Sequence, residues 1–401
     1  MTGPPEPPWR LGADGRWYPS APTPGWYPLG PPPGPPRVRS TSPPSAAPGR
    51  IPGLVGLLWA SVVLLVVAAV GLPLSGSSST APPAHVSGGR VITLPRLNAP
   101  TYAPGCAASP PVPGSVTRVP MNVVRSGALV FEFVPVCIAG RGPFPFILDT
   151  GASESVVAAG LARVLGLAAI GPAGVASGVN CRAILHNGPP TRWSLGSVPL
   201  APQALPQIAI PLFGATDAPA GLLGSDVLSR FGRVRLDFAA RQLVLVGPEG
   251  APAGGTPATG GPVPPALVQG DHYQSVPLHV VANDGAVESL VDVTIAGRSR
   301  PFVLDTGSGR SAVDASLASE AGLAASGVRE VVVSVGCTRT VPLVASGAWS
   351  LGSVPLAPQL LLAVSLPPVG AVGTLGSDVL NGFGWIVVDY RGGSLLLGTP
   401  P

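Results

Sequence analysis

Two aspartates stand in near-identical surroundings. "FILDTGASES" occupies 146–155 and "FVLDTGSGRS" occupies 302–311. In each, a short apolar run of strand character delivers an aspartate into a Thr-Gly turn lined by small residues. A single carboxylate there would supply only half of a hydrolytic machine. Two carboxylates a few Å apart cannot both ionise easily, so they share one proton. The ionised member can then take a proton from water while the protonated member donates to a carbonyl. The chemistry these residues suggest is hydrolysis by Asp149 and Asp305, and it needs no metal and no cofactor.

The two motifs belong to a longer repeat. Thirty-two residues after each aspartate stands a cysteine, Cys181 and Cys337. Forty-four residues after each begins "WSLGSVPLAPQ", at 193–203 and 349–359. "LGSDVL" follows at 223–228 and 375–380, each time leading to a Phe-Gly pair, Phe231-Gly232 and Phe383-Gly384. Matching frames of this kind mark a tandem duplication. The first copy spans 119–247 and the second 274–399. Between them, 248–273 is rich in Pro and Gly and reads as a linker.

Each copy reads as mainly β with short helices. "ALVFEFVPVCIAG" and "SLVDVTIAG" have strand patterns, while "SVVAAGLARVLGL" and "SLASEAGL" suggest short helices. Ser225 or Asp226 is expected to cap the helix that Gly232 stops, with Ser377 or Asp378 and Gly384 as counterparts. Arg310, five residues beyond Asp305, would lower the pair's pKa values if it pointed inward, and is expected to face solvent instead.

A strand ending on Asp-Thr-Gly-Ala/Ser, followed downstream by "GLLG" (221–224) or "GTLG" (373–376) before a helix, resembles the aspartic peptidases. Repeats of this length are more similar to retropepsin lobes than to the larger pepsin lobes. The resemblance covers roughly 120–399. It implies an all-β fold of two lobes related by a pseudo-twofold axis, each giving one aspartate. Retropepsins reach that arrangement by homodimerising, whereas this chain carries both halves and is expected to act as a monomer. The resemblance further implies that Thr150 and Thr306 hydrogen-bond across the axis and that Gly151 and Gly307 let the loops approach closely. Neither expected flap region (about 170–192 and 326–348) holds a tyrosine. The implied function is endopeptidase activity on an extended peptide, held by strand-like hydrogen bonds. The competing reading is a non-catalytic peptide-binding or scaffold module on the same fold. A Ser-His-Asp hydrolase lacks support because no GxSxG elbow occurs.

The N-terminal quarter has a different character. Residues 51–74 contain no charge and are long enough for one transmembrane helix. Fifty residues precede this run, which favours an uncleaved signal anchor over a signal peptide. Five arginines lie before it and the next is Arg90, so the N-terminus is expected in the cytoplasm and the repeats outside it. Residues 1–50 form a Pro-rich tail, and 75–118 a stalk and N-terminal extension. The tail repeats Trp-Tyr-Pro at 17–19 and 26–28, which resembles short modules at the cytoplasmic ends of actinobacterial membrane proteins.

All 23 basic residues are arginine. Absent lysine excludes Walker-A phosphate binding and Schiff-base chemistry. A net charge of +4 without basic runs gives nucleic-acid binding no support. The four histidines and four cysteines show no metal-ligand spacing. Outside the cytoplasm Cys106, Cys137, Cys181 and Cys337 can form two disulfides, with three possible pairings. Cys106–Cys137 and Cys181–Cys337 are favoured. In a retropepsin-like lobe, Cys181 and Cys337 fall in or near equivalent flap hairpins that meet over the cleft.

Overall fold

The computed structural model describes residues 9–11, 17–19, 90–92, 100–102, 106, 116–179, 181–210, 219–246, 263–268, 272–366 and 370–398. Among them no helix is long and apolar enough to cross a membrane, and the expected span at 51–74 lies outside them. The chain divides into Met1–Leu58 and Trp59–Pro401. In the first unit, Trp9–Leu11 pairs antiparallel with Trp17–Pro19, so one Trp-Tyr-Pro motif lies in a small ladder rather than in unstructured tail.

The second unit holds both repeats, and each builds the same mainly β lobe. In the first lobe, Asn122–Ser126 and Leu129–Ile138 form a hairpin, and Leu129–Ile138 then pairs with Arg141–Leu148. Arg141–Leu148 ends directly before Asp149. Gly221–Leu223 runs parallel beside it and antiparallel to Val156–Ala158, pinning the strand that carries the aspartate. The second lobe repeats this with Arg298–Asp305, Gly373–Gly376 and Ala312–Asp314. The expected helices form as Ala159–Leu165 and Ala315–Glu320. Phe131, Phe133, Phe146 and Phe302 are fully buried around these strands, each contributing roughly 1.5–3 kcal/mol relative to exposure.

A six-stranded sheet joins the lobes. Its order is Val116–Pro120, Gln242–Val246, Arg233–Asp237, Trp385–Asp389, Ser394–Gly398 and Tyr273–Asn283. At its centre Arg235 pairs with Val387, its own repeat counterpart, so the pseudo-twofold axis passes through this pair. Arg233 Nε lies 2.9 Å from Asp389 Oδ2, a buried ion pair across the junction.

Three segments that reach outside the expected lobe boundaries are built into the fold. Arg90–Ile92 adds a parallel strand to Ala325–Ser334, and Val116–Pro120 begins the first lobe inside the segment read as extension. Within the segment read as linker, Pro265–Val268 is a short helix whose Leu267 is fully buried and whose carbonyl accepts from Arg235 Nη1 at 2.9 Å. A Pro/Gly-rich composition lowered the expectation of order there, but one apolar side chain against Trp385 and Val244 is enough to dock it.

Candidate active site

The two Asp-Thr-Gly turns meet at the lobe interface. Thr150 N donates to Thr306 Oγ1 at 3.0 Å, and Thr306 N donates to Thr150 Oγ1 at 3.1 Å. Thr150 Oγ1 donates to Leu304 O and Thr306 Oγ1 to Leu148 O, both at 2.7 Å. Each hydroxyl therefore accepts one bond and donates one, and each reaches the strand that carries the other lobe's aspartate. A Cβ on Gly151 would overlap the Asp305 carboxyl, and one on Gly307 the Asp149 carboxyl. Only glycine permits that approach.

Asp149 Oδ1 accepts from Gly151 N (3.0 Å) and Ala152 N (2.8 Å), and Asp305 Oδ1 accepts from Ser308 N (2.9 Å). The outer oxygen of each, Asp149 Oδ2 and Asp305 Oδ2, is buried and accepts from no described protein group. Those two atoms are the ones left for reacting species. Burial pushes the Asp149 carboxyl up to about 7, its backbone donors opposing the rise. Burial also raises the Asp305 carboxyl well above the usual carboxylate range, and the adjacent Asp149 charge adds to the rise. The two carboxyls titrate as a pair and share one proton.

The carboxylates expected to cap helices have a different task. Asp226 Oδ1 accepts from Ser155 N (2.8 Å) and Ser155 Oγ (2.6 Å), and its Oδ2 accepts from Gln203 Nε2 (3.0 Å). Asp378 does the same with Ser311 N (2.9 Å), Ser311 Oγ (2.6 Å) and Gln359 Nε2 (3.0 Å). Ser155 Oγ and Ser311 Oγ in turn accept from Gly224 N and Gly376 N, both at 2.9 Å. The helices Ser225–Leu228 and Ser377–Leu380 are one turn long and start at Gly224 and Gly376 without a side-chain cap. With so few backbone donors to satisfy, both carboxylates bind the nearby serine loops, and only Asp378 also accepts from a helix N–H, that of Val379 at 3.0 Å. Each clasp fastens an aspartate turn to the helix beneath it, and it accounts for the glutamine ending the eleven-residue repeat. The signal in the sequence was a serine six residues after each aspartate.

Arg310 does not face solvent. It is buried, donating from Nη1 to Glu330 Oε2 at 2.6 Å and from Nε and Nη2 to Leu360 O. An unpaired buried guanidinium would be costly, and Glu330 offsets its charge away from the aspartate pair.

Glu132 was missed by repeat comparison because its counterpart is Ser289. It is fully buried, and burial raises it to about 7 despite hydrogen bonds from Ser377 and Asn381. Ser377 Oγ is hydrogen-bonded both to Glu132 Oε2 and to Thr306 O at 3.0 Å. One hydroxyl proton serves two acceptors there, an arrangement satisfied when Glu132 keeps its own proton. In the other lobe Ser225 Oγ donates to Thr150 O at 2.8 Å and lies 3.0 Å from the Tyr390 hydroxyl, which can donate to it. The signal was an acid inside the apolar run "LVFEFV".

These raised carboxyls set the sign of pH-dependent stability. An acid whose folded pKa exceeds its unfolded value holds an extra proton in the native state between the two. Stability is therefore expected to be full below about pH 4 for these groups and to fall as pH rises to about 7, where Glu132 and Asp149 ionise. The melting temperature should be lower at pH 8 than at pH 5, by roughly 5 °C. Thermal scans of the wild type and Glu132→Gln check this, and the variant should show a flatter slope.

Above the turns lie two hairpins. Pro172–Gly178 pairs with Cys181–His186, and Ala325–Ser334 with Cys337–Ala345. Cys181 and Cys337 are disulfide-bonded at a Cα separation of 5.8 Å, and Cys106 is bonded to Cys137. The tips are exchanged between lobes. Val179 is buried with Val332, Val341, Leu343 and Leu362 of the second lobe. Val333 and Val335 are buried with Phe131, Ile147, Ala152 and Leu185 of the first. Val179 N donates to Ser334 Oγ at 2.9 Å.

The family comparison agrees with two similar lobes. Residues 134–227 and 291–379 match the aspartyl protease family. No curated protein matches the chain. Among solved structures, the basic 7S globulin from soybean is 12% identical, with a TM-score of 0.39, over 72% of this chain and 97% of its own. Conglutin gamma, a basic 7S globulin from lupine seeds, is 10% identical, with a TM-score of 0.39, over 72% of this chain and 96% of its own. Each matched region carries one of the paired aspartates, and the two matches mark two aspartyl-protease-like lobes in tandem within one chain.

Proposed function

We propose that this protein is a membrane-anchored, extracytoplasmic endopeptidase that hydrolyses peptide bonds with Asp149, Asp305 and a water molecule. The observation that carries the proposal is the mutual placement of two buried carboxyls whose outer oxygens accept from no described protein group. The ionised member of the pair takes a proton from water as the oxygen attacks the scissile carbonyl, and the protonated member donates to the carbonyl oxygen. The resulting tetrahedral intermediate collapses when the amine leaves with a proton from the pair. The anchor is the charge-free run at 51–74, and its arginine asymmetry places the lobes outside the cytoplasm. The substrate is an extended segment of a protein in that compartment.

A second reading is favoured by the complete burial of both carboxyls: a non-catalytic peptide-binding or scaffold module on the same fold. Cleavage of a peptide library by the detergent-solubilised chain, under oxidising and reducing conditions, separates the two. Binding without cleavage in both conditions would leave the second reading standing.

Because each chain supplies both aspartates, specific activity should stay constant on dilution. Progress curves across a hundredfold concentration range, with sedimentation to fix the oligomeric state, check this. Activity lost together with dimers would mean that lobes pair between chains.

A further inference from the structure

The second lobe carries a pocket of about 410 Å³ on the far side of its serine clasp, lined by Trp349, Leu356, Gln359, Asp378, Gly382 and Phe383 among others. The repeat shows what fits it. The equivalent hairpin and helix of the first lobe have the same sequence, but in the turn after the helix Ser229-Arg230 stands where the second lobe has Asn381-Gly382. Arg230 Nη2 donates to Gln203 Oε1 at 2.7 Å, and its charge favours ionised Asp226. The first lobe thus holds its own guanidinium over the Gln-Asp pair, and Asp226 is only 6% exposed.

In the second lobe the Gln-Asp pair is preserved and uncovered. Gln359 Nε2 donates to Asp378 Oδ2 at 3.0 Å, the same bond as Gln203 to Asp226. No described residue donates to Gln359 Oε1. Asp378 is half-buried where Asp226 is buried. A Cβ on Gly382 meets nothing within 4 Å, so the space taken by a side chain in one lobe is open in the other. Trp349, Leu356 and Phe383 supply an apolar wall for an aliphatic stem and a face for a planar cation.

We propose that this pocket binds the arginine side chain of another polypeptide, its guanidinium on Gln359 Oε1 and facing the Asp378 carboxylate. A guanidinium suits a bidentate, planar site better than an ammonium does. The site is separate from the paired aspartates, although Asp378 also holds Ser311 of the Asp305 turn.

The test is calorimetric titration of the full chain in detergent with N-acetyl-arginine amide, and with the isosteric neutral N-acetyl-citrulline amide. The arginine probe should bind saturably, with citrulline about tenfold or more weaker, because a charge-assisted bond is lost. Gly382→Arg should fill the pocket from within, as Arg230 does, and abolish binding without loss of thermal stability. Gly382→Met, an uncharged plug, should abolish binding too, and covers the case in which the arginine variant fails to fold. Asp149→Asn should bind as the wild type does, so the outcome is independent of peptide hydrolysis. Equal binding of citrulline, no saturable binding, or wild-type binding by a folded Gly382 variant would each overturn the proposal.

Discussion

Replacing Asp149 or Asp305 by Asn is expected to reduce peptide hydrolysis by about a thousandfold or more while the fold survives, because the members of such a unit do not act independently. The two losses should be nearly equal, and the double variant should be little worse than either single one. The geometry gives the reason. Asp149 Oδ1 is occupied by Gly151 N and Ala152 N, and Asp305 Oδ1 by Ser308 N, so an amide oxygen at the same place can still accept those bonds. What an amide cannot do is hold or release the shared proton. The Thr150–Thr306 bonds do not involve the carboxyls and should keep the turns in place. Single-turnover assays with each variant, alongside thermal scans, decide the matter. Full activity in either single variant would sink the paired-carboxyl mechanism.

Opening the Cys181–Cys337 bond is expected to raise hydrolysis about tenfold or more, since the apparent rate scales with the fraction of molecules whose site is accessible. The bond ties together two hairpins whose tips are already exchanged, with Val179 in the second lobe's apolar cluster and Val335 in the first's. The same cluster that takes Val335 contains Ala152, three residues from Asp149. An extended substrate must displace these contacts, and the crosslink prevents the tips from separating as it enters. Stability should move the opposite way. The bond closes a span of 156 residues. Losing it costs about 5 kcal/mol in the loop-entropy account. The double variant Cys181→Ser/Cys337→Ser should therefore be faster and less stable than the wild type. Cys106→Ser/Cys137→Ser, which leaves the hairpins joined, should show no gain in rate. Unchanged or lower activity in the first double variant, with its fold intact, would end the idea of a locked roof.

The sequence alone determined the duplication, the paired aspartates, the mainly β lobes and the equivalence of Cys181 with Cys337. These are properties of local pattern: strands alternate, turns need Thr-Gly, and a repeat leaves the same residues in the same frame. The threonine exchange and the disulfide pairing followed once the two turns were taken to face each other across an axis. Other features depended on which atoms the folded chain brings together. Asp226 and Asp378 looked like helix caps because they sit at helix starts. They bind serines some seventy residues earlier because those turns pack against one-turn helices. Arg310 looked exposed because charge usually is, but the sheet places Glu330 beside it. Glu132 had no partner in the repeat, and its proton follows from Ser377, 245 residues away. The open pocket beside Gly382 lies where the first lobe holds the Arg230 side chain, visible only when the two lobes are compared as solids. In each case the deciding term is the cost of burying a polar group without a partner, and partners far apart in sequence are chosen by packing.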